Sequence, residues 1–278
     1  MQHSANKYMW LILKCSIAQN YYRCIMLTEN LLEWVKLTVL IDNRLSTVSN
    51  RNLISTWGLS IVAETSNGNI LFDLNGDWKY IEHNANILHV DLNKIDWIII
   101  SHMHGDHAGG LKGAIKYYEE RMHPVKILLP EKQVYKSSFI EFIYSKSPVE
   151  IFSGAITTGV LGHSIKEQSL ILNVRGKGPI ILVGCSHPGI PKILNRTCRL
   201  LKTTSIYALI GGYHINAYQA IQIIPILEKY NVKIIGPAHC TGNLARKLLK
   251  QYFKSRFLDV FTGATIEVFG STELKNNM

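Results

Sequence analysis

Nowhere in the 278 residues does an apolar run reach the roughly 18 residues that mark a membrane-spanning helix. The stretch "YMWLILKCSIA" near the start is short and broken by Lys14. It has neither a strongly basic start nor a small-residue cleavage site, so it does not read as a secretory leader. Cysteine is sparse: Cys15, Cys24, Cys185, Cys198 and Cys240 show no regular spacing and no Cys-x-x-Cys pair. That excludes a disulfide framework and a cysteine-rich structural zinc site, and it points to a reducing cytoplasm. No internal repeat or low-complexity tract is present. Acidic residues are in deficit, 20 against 30 lysines and arginines, which leaves a formal charge of +10. Such a balance favours anionic partners: phosphorylated small molecules, nucleic acid or acidic membrane surfaces. The cations are scattered, however, and the densest run, "ARKLLKQYFKSR", reads as a solvated helix face. No RNA-binding module and no interleaving of aromatic and basic residues is found, which argues against nucleic acid as the partner. With no spanning segment, no membrane role is expected, and the oligomeric state is left open.

What is there is ordinary globular material, 47% apolar and 18% charged, enough to bury a large core. The readable pattern begins at "VKLTVLIDN", so we expect one domain over residues 35–278 behind an extension, 1–34, of unassigned structure. "LTVLIDN" reads as a strand, and "GLSIVAETSNGNILFDLNG" as a hairpin with a Ser-Asn-Gly turn. "WIII" and "VKILLP" read as buried strands around a helix "LKGAIKYYEERM". "KQVYKSSFIEFIYSK", residues 132–146, is predicted as a helix. A second hairpin, "SLILNVRGKGPIILVGC", precedes strand–helix alternation through "IPKILNRTCRLLKTT", "YALIGG", "AYQAIQIIPILEKYN", "VKIIGPA" and "NLARKLLKQYF". "DVFTGATIEVF" closes the chain with strand character. Hairpins followed by alternation predict mixed sheets with helices packed outside.

Four of these apolar strands finish at histidines. "IDWIIISHMH" ends in His102 and His104, "PIILVGCSH" in His187, "YALIGGYH" in His214 and "VKIIGPAHC" in His239. Carboxyl ends of strands in α/β sheets are where loops converge on one edge and sites assemble. The first motif is the densest, with His102, His104, Asp106 and His107 inside six residues. In extended chain His102 and His104 point the same way. Two neutral imidazoles on one side suit one divalent cation, and Asp106 with His107 can face a second. Ala108-Gly109-Gly110 lets the chain turn tightly into the next helix. His3, His83, His89 and His123 show no partner pattern.

The complete string His-x-His-x-Asp-His after a buried strand resembles the signature of the metallo-β-lactamase-fold superfamily. "EQSLIL", "GCSHPGI", "GGYH" and "PAHCTG" are together similar to a branch that includes 7,8-dihydropterin-6-methyl-4-(β-D-ribofuranosyl)aminobenzene-5'-phosphate synthase-like proteins of methanopterin biosynthesis. The resemblance implies an α/β fold, an αββα sandwich of two mixed sheets with outer helices. It also implies a cofactor of one or two divalent metal ions, zinc first, with iron or manganese as alternatives. The implied ligands are His102, His104, Asp106, His107, His187 and His239. For the third histidine ligand His187 competes with His163, which stands where the broad superfamily has its "GH(T/S)" histidine. His187 is favoured for its strand-end setting. Cys185 occupies the place of the superfamily's bridging aspartate, as a thiolate ligand or, the preferred reading, as a small buried residue. Asp73 in "FDLNG" is either an orienting residue for ligand histidines or a turn residue. Asp106 is the expected catalytic group. His214 and Thr241 are candidate substrate-binding residues, Thr241 being alternatively a helix N-cap. Glu167 and Gln168 are also candidates to serve the substrate. The implied activity is that of a metal-dependent enzyme on an anionic, phosphorylated small molecule, including the synthase reaction of the branch. The alternative is a phosphodiesterase or nuclease acting on nucleotides or nucleic acid.

Overall fold

The computed structural model of the protein describes residues 31–46 and 52–271. In chain order the strands are β1 (Trp34–Ile41), β2 (Ser60–Thr65), β3 (Gly68–Phe72), β4 (Trp97–Ile99), β5 (Val125–Leu129), β6 (Ile140–Tyr144), β7 (Glu150–Phe152), β8 (Ala155–Thr157), β9 (Leu170–Val174), β10 (Gly178–Val183), β11 (Ala208–Gly212), β12 (Ile234–Ala238) and β13 (Thr265–Phe269). The helices are α1 (Trp78–Ile87), α2 (Gly105–Ala108), α3 (Leu111–Glu120), α4 (Ile190–Leu201), α5 (Ala217–Lys229) and α6 (Asn243–Phe253). The first sheet runs β13-β1-β2-β3-β4-β5-β6, and the second β12-β11-β10-β9-β8-β7.

Alternation of side chains along each strand sorts the apolar residues into layers. Ile70 and Phe72 of β3 enter the core between the sheets, whereas Leu71 joins Val62 and Ile98 on the outer face, with Trp78 and Ile81 of α1 and Leu111 and Ala114 of α3. On β10, Ile180 and Leu182 point inward, while Ile181 and Val183 pack with Ile193 of α4, Ala220 of α5 and Leu249 of α6. Burial on both faces is why "WIII" and "PIILV" are unbroken apolar runs. The result is the αββα sandwich of two mixed sheets that the sequence resemblance implied. β3 and β4 are parallel, as are β10, β11 and β12, so their carboxyl ends collect at the rim of each sheet.

Three features depart from the sequence reading. Residues 132–146 are not helical; within them β6 pairs in parallel with β5, Val125 opposite Ile140. The apolar residues of "FIEFIY" suit either period, and the open edge of β5 offers backbone partners that a surface helix would lack. Helix α1, unread in the sequence, is capped by the Asp77 side chain, which accepts from the Lys79 N–H. The short hairpin β7–β8 was also unread, being three residues a side. The boundary of the sandwich lies a little earlier than residue 35. Leu32 is fully buried, and its backbone exchanges hydrogen bonds with Asn173 and Arg175 beside β9. Most of the 1–34 extension lies outside the described residues. Among the described residues no helix is long and apolar enough to cross a membrane.

Candidate metal centre

The loops after β1, β3, β4, β10, β11 and β12 meet at one rim and bring their polar residues together. His102 and His104 leave β4, and their rings lie 4.6 Å apart. His187, beyond β10, sits 4.8 Å from the His102 ring and 4.9 Å from the His104 ring. His107, on α2, faces His239 from β12, with Nε2 to Nε2 at 3.0 Å. Asp106 Oδ2 is 3.2 Å from His239 Nε2. Cys185 stands between the groups: its Sγ is 3.2 Å from His107 Nε2, and it clusters with His102 and His187 as well as with His107 and His239. His214, exposed at the end of β11, places its ring 4.9 Å from that of His187, and Cys240 adds a second sulfur beside Cys185. The two sheets approach closely here, since a Cβ on Gly184 would collide with the Ser101 hydroxyl.

The hydrogen bonds behind the rings decide which nitrogens are bare. Asp73, wholly buried, accepts from Ser101 N (2.7 Å) and Ser101 Oγ (2.7 Å) and meets His107 Nδ1 at 2.6 Å. With Asp73 ionised, His107 carries its proton on Nδ1 and turns a lone pair on Nε2 toward the cluster. The Ser101 hydroxyl donates to Asp73, so it accepts from His102 Nδ1 at 3.0 Å. His102 Nε2 is then bare as well. On the far side Asn43 Oδ1 accepts the Gly58 N–H, which fixes its amide, and it therefore accepts from His239 Nδ1 at 2.9 Å. His239 in turn aims a lone pair at the bare nitrogen of His107.

Bare imidazole nitrogens thus converge, and the Cys185 thiol, kept protonated by its hydrogen bond with Cys240 and by burial, is the donor that meets His107. Burial keeps the imidazoles neutral: it pushes His107 down to about 3 and His187 down to about 4, and holds His102 far below the ordinary histidine range. Close contact with His239 and His107 holds the Asp106 carboxyl well below the usual range, and the Trp57 indole donates to it. Burial lifts Asp73 to about 8, so its ionised form, and with it the tautomers above, is favoured by alkaline pH or by a cation at the site. Nε2 of His102 and of His187 are buried with no hydrogen-bond partner among the described residues. This donor set of imidazoles, a carboxylate and a thiol fits divalent metal ions of the zinc type. One group of donors is His102, His104 and His187; the other is Asp106, His107 and His239, with Cys185 between them.

Residues 58–133, which include the first histidine motif, match the family model of the metallo-beta-lactamase superfamily. The fold matches the crystal structure of a metal-dependent hydrolase of the beta-lactamase superfamily with a TM-score of 0.68 at 22% identity, covering 84% of this chain and 99% of that one. The chain has the metallo-beta-lactamase fold. Another solved structure, a metallo-beta-lactamase-fold protein from Bacillus subtilis, matches with a TM-score of 0.60 at 14% identity, over 85% of this chain and all of that one (100%). Among curated proteins, the 7,8-dihydropterin-6-methyl-4-(beta-D-ribofuranosyl)-aminobenzene-5'-phosphate synthase of Methanocaldococcus jannaschii is 27% identical over 269 residues, 77% of this chain and 90% of that protein. The superfamily fold implies binding of divalent metal, in keeping with the donor set.

Other candidate residues fall elsewhere. His163, at the position of the superfamily's usual histidine, is exposed on the loop between β8 and β9 and belongs to none of the clusters. Thr241 is neither at the substrate surface nor an N-cap: it is buried, its hydroxyl donates to Ala238 O (2.7 Å) and accepts from Tyr213 N (3.0 Å). Helix α6 is capped at Gly242 without a side chain. Glu167 and Gln168, read as substrate groups, are buried at 1% and 0% exposure and cannot reach a ligand in solution. Sequence reasoning missed Asn43 and Asp42, which hold the His239 ring and its backbone N–H (2.7 Å to Asp42 Oδ2). It also missed Trp57, whose indole Nε1 donates to Asp106 Oδ2 at 2.9 Å while the ring stays 66% exposed.

Proposed function

We propose that the protein is a metal-dependent enzyme acting on a phosphorylated small molecule, and that its reaction is the joining of a dihydropterin methylene to the amino group of a ribofuranosylaminobenzene phosphate. The observation that carries the metal-enzyme reading is the convergence of bare histidine nitrogens, the Asp106 carboxylate and the Cys185 thiol at one rim. The likeness to the Methanocaldococcus jannaschii synthase supports the finer reading.

His102, His104 and His187 would hold one ion, and Asp106, His107, His239 and Cys185 a second. Ions there supply Lewis acidity toward the oxygens of a phosphate or diphosphate group. In the condensation the amine nitrogen forms a bond to the pterin methylene carbon while the carbon–oxygen bond to the diphosphate breaks. The nitrogen then gives up one proton. Asp106 stays ionised, anchored by the Trp57 indole, and is placed to orient the incoming amine through its N–H. His214, exposed beside His187, faces the approach to the centre and would bind the substrate phosphate. A cleft of about 320 Å3 continues from these two histidines, floored by Ile190, Ile215 and Ile223, and offers space for a flat ring.

The test is metal analysis of the purified protein together with turnover of the dihydropterin diphosphate and the aminobenzene ribofuranosyl phosphate. Formation of the carbon–nitrogen product with release of diphosphate is the expected result. Hydrolysis of a phosphodiester with no condensation would replace the synthase reading by the hydrolase one. Metal-free protein with full turnover would overturn both.

A further inference from the structure

We infer that Glu167 is a positioning residue that couples the two donor groups, because its carboxylate holds the loop that hands one ligand to each. The inference rests on the metal reading above. Oε1 of Glu167 accepts from the backbone N–H of Cys185 (3.1 Å) and of Ser186 (2.9 Å), and Oε2 accepts from the N–H of His187 (2.8 Å). Three successive amides thus converge on one carboxylate, with Ser186 in the left-handed region at φ 58°. Such a concavity of consecutive N–H groups is an anion-binding shape. Here the anion is part of the chain.

The consequence is in what the loop carries. Cys185, at its start, meets His107 and His239; His187, at its end, meets His102 and His104. The rest of the loop is held by Ser186 Oγ, which donates to Gly212 O at 2.8 Å. Glu167 is too buried to meet substrate, so its effect on the centre passes through these two ligands. Without it, three buried amides lose their acceptor, and both ligands lose the frame that fixes their spacing.

The two oxygens make the inference specific. In Glu167→Gln the remaining oxygen is best spent on the pair of amides of Cys185 and Ser186. The new NH2 then faces the His187 N–H, donor against donor. The variant should therefore disturb the position served by His187 and spare the one served by Cys185. Glu167→Ala should disturb both. Cobalt(II) titration of the full-length metal-free protein separates the positions. The thiolate-to-cobalt charge-transfer band reads the Cys185 position, total bound cobalt reads both, and thermal melting with circular dichroism checks the fold.

The expected result is that the Gln variant keeps the band while its second cobalt binds more weakly by about 10- to 100-fold, the usual effect of losing a group that supports a ligand. The Ala variant should lose affinity at both positions. Should Ala fail to fold, the Gln variant decides alone. Equal losses at the two positions in Glu167→Gln, or none, would overturn the inference while leaving the metal reading intact. Wild-type protein that takes up no cobalt would overturn the metal reading and this inference with it.

Discussion

Replacing Asp73 by asparagine changes one oxygen for an NH2 group and should invert the protonation of two histidines at once. Asp73 Oδ1 serves the Ser101 N–H, so the amide oxygen belongs there. The NH2 then occupies the place of Oδ2, where it faces both His107 Nδ1 and Ser101 Oγ. His107 can no longer donate from Nδ1; it must accept there and carry its proton on Nε2, the atom that points at His239 and Cys185. Ser101 must turn its hydroxyl and accept from the amide, which directs its proton toward His102 Nδ1. His102 then also holds its proton on Nε2. Each donor group would lose one usable lone pair. A loss of this kind costs about 10- to 100-fold in metal affinity, or about 1.4–2.7 kcal/mol at each position. Competition with a chromophoric chelator at neutral pH measures it, and long-range nitrogen–proton correlation spectra of labelled histidine read the tautomers directly. Two zinc ions bound within twofold of the wild-type affinity, with unchanged tautomers, would refute the reasoning.

Other outcomes are expected on the same grounds. His187→Ala should strip metal, whereas the exposed His163→Ala should leave stoichiometry unchanged; elemental analysis of the two single variants compares them. Asp106→Ala should lower turnover on the order of 100-fold or more while total metal falls less, since His107, His239 and Cys185 remain; kinetics and metal content on the same sample check this. Removal of residues 1–30 should leave a folded, metal-binding protein, but Leu32→Ala should cost about 2–5 kcal/mol in denaturant unfolding, because its side chain is fully buried between the sheets. Nucleic-acid binding at low salt should be absent; measurable affinity that falls steeply with salt would favour the nuclease alternative.

The parts of the site that were legible in the sequence are those that sit close together along the chain or end a strand. His102, His104, Asp106 and His107 fall in one string, and His187, His214 and His239 each follow an apolar run; that setting drew attention to them, and the resemblance implied their roles. The supports were not legible. Asn43 reaches His239 across the whole length between them, and Glu167 reaches the 185–187 amides from the loop before β9. Nothing in the neighbours of Asn43 or Glu167 signals such a role, because it exists only once the two sheets are stacked. Cys185 shows the same limit from the other side. Burial was readable from its strand, but its proximity to His107 was not. In the fold, strands buried on both faces announced themselves by composition, whereas the edge strand β6 resembled a helix. Its few apolar residues fit both periods, and the choice is made by the free edge of β5.

The pairing of β1 with β13, Val35 opposite Val268, joins segments far apart in the sequence. The connection extends to the rim, where Thr262 Oγ holds the Asp42 backbone and Asp42 in turn receives the His239 N–H. While the chain is still being made, β1 therefore waits with one edge bare, an invitation to pair with other chains. Contacts so far apart in sequence also form slowly. The wait ends only when β13 is available. Yield of soluble protein should accordingly depend on growth temperature and on chaperone supply more than on metal in the medium, and a stop codon just before Thr265 should produce aggregate rather than a smaller active enzyme.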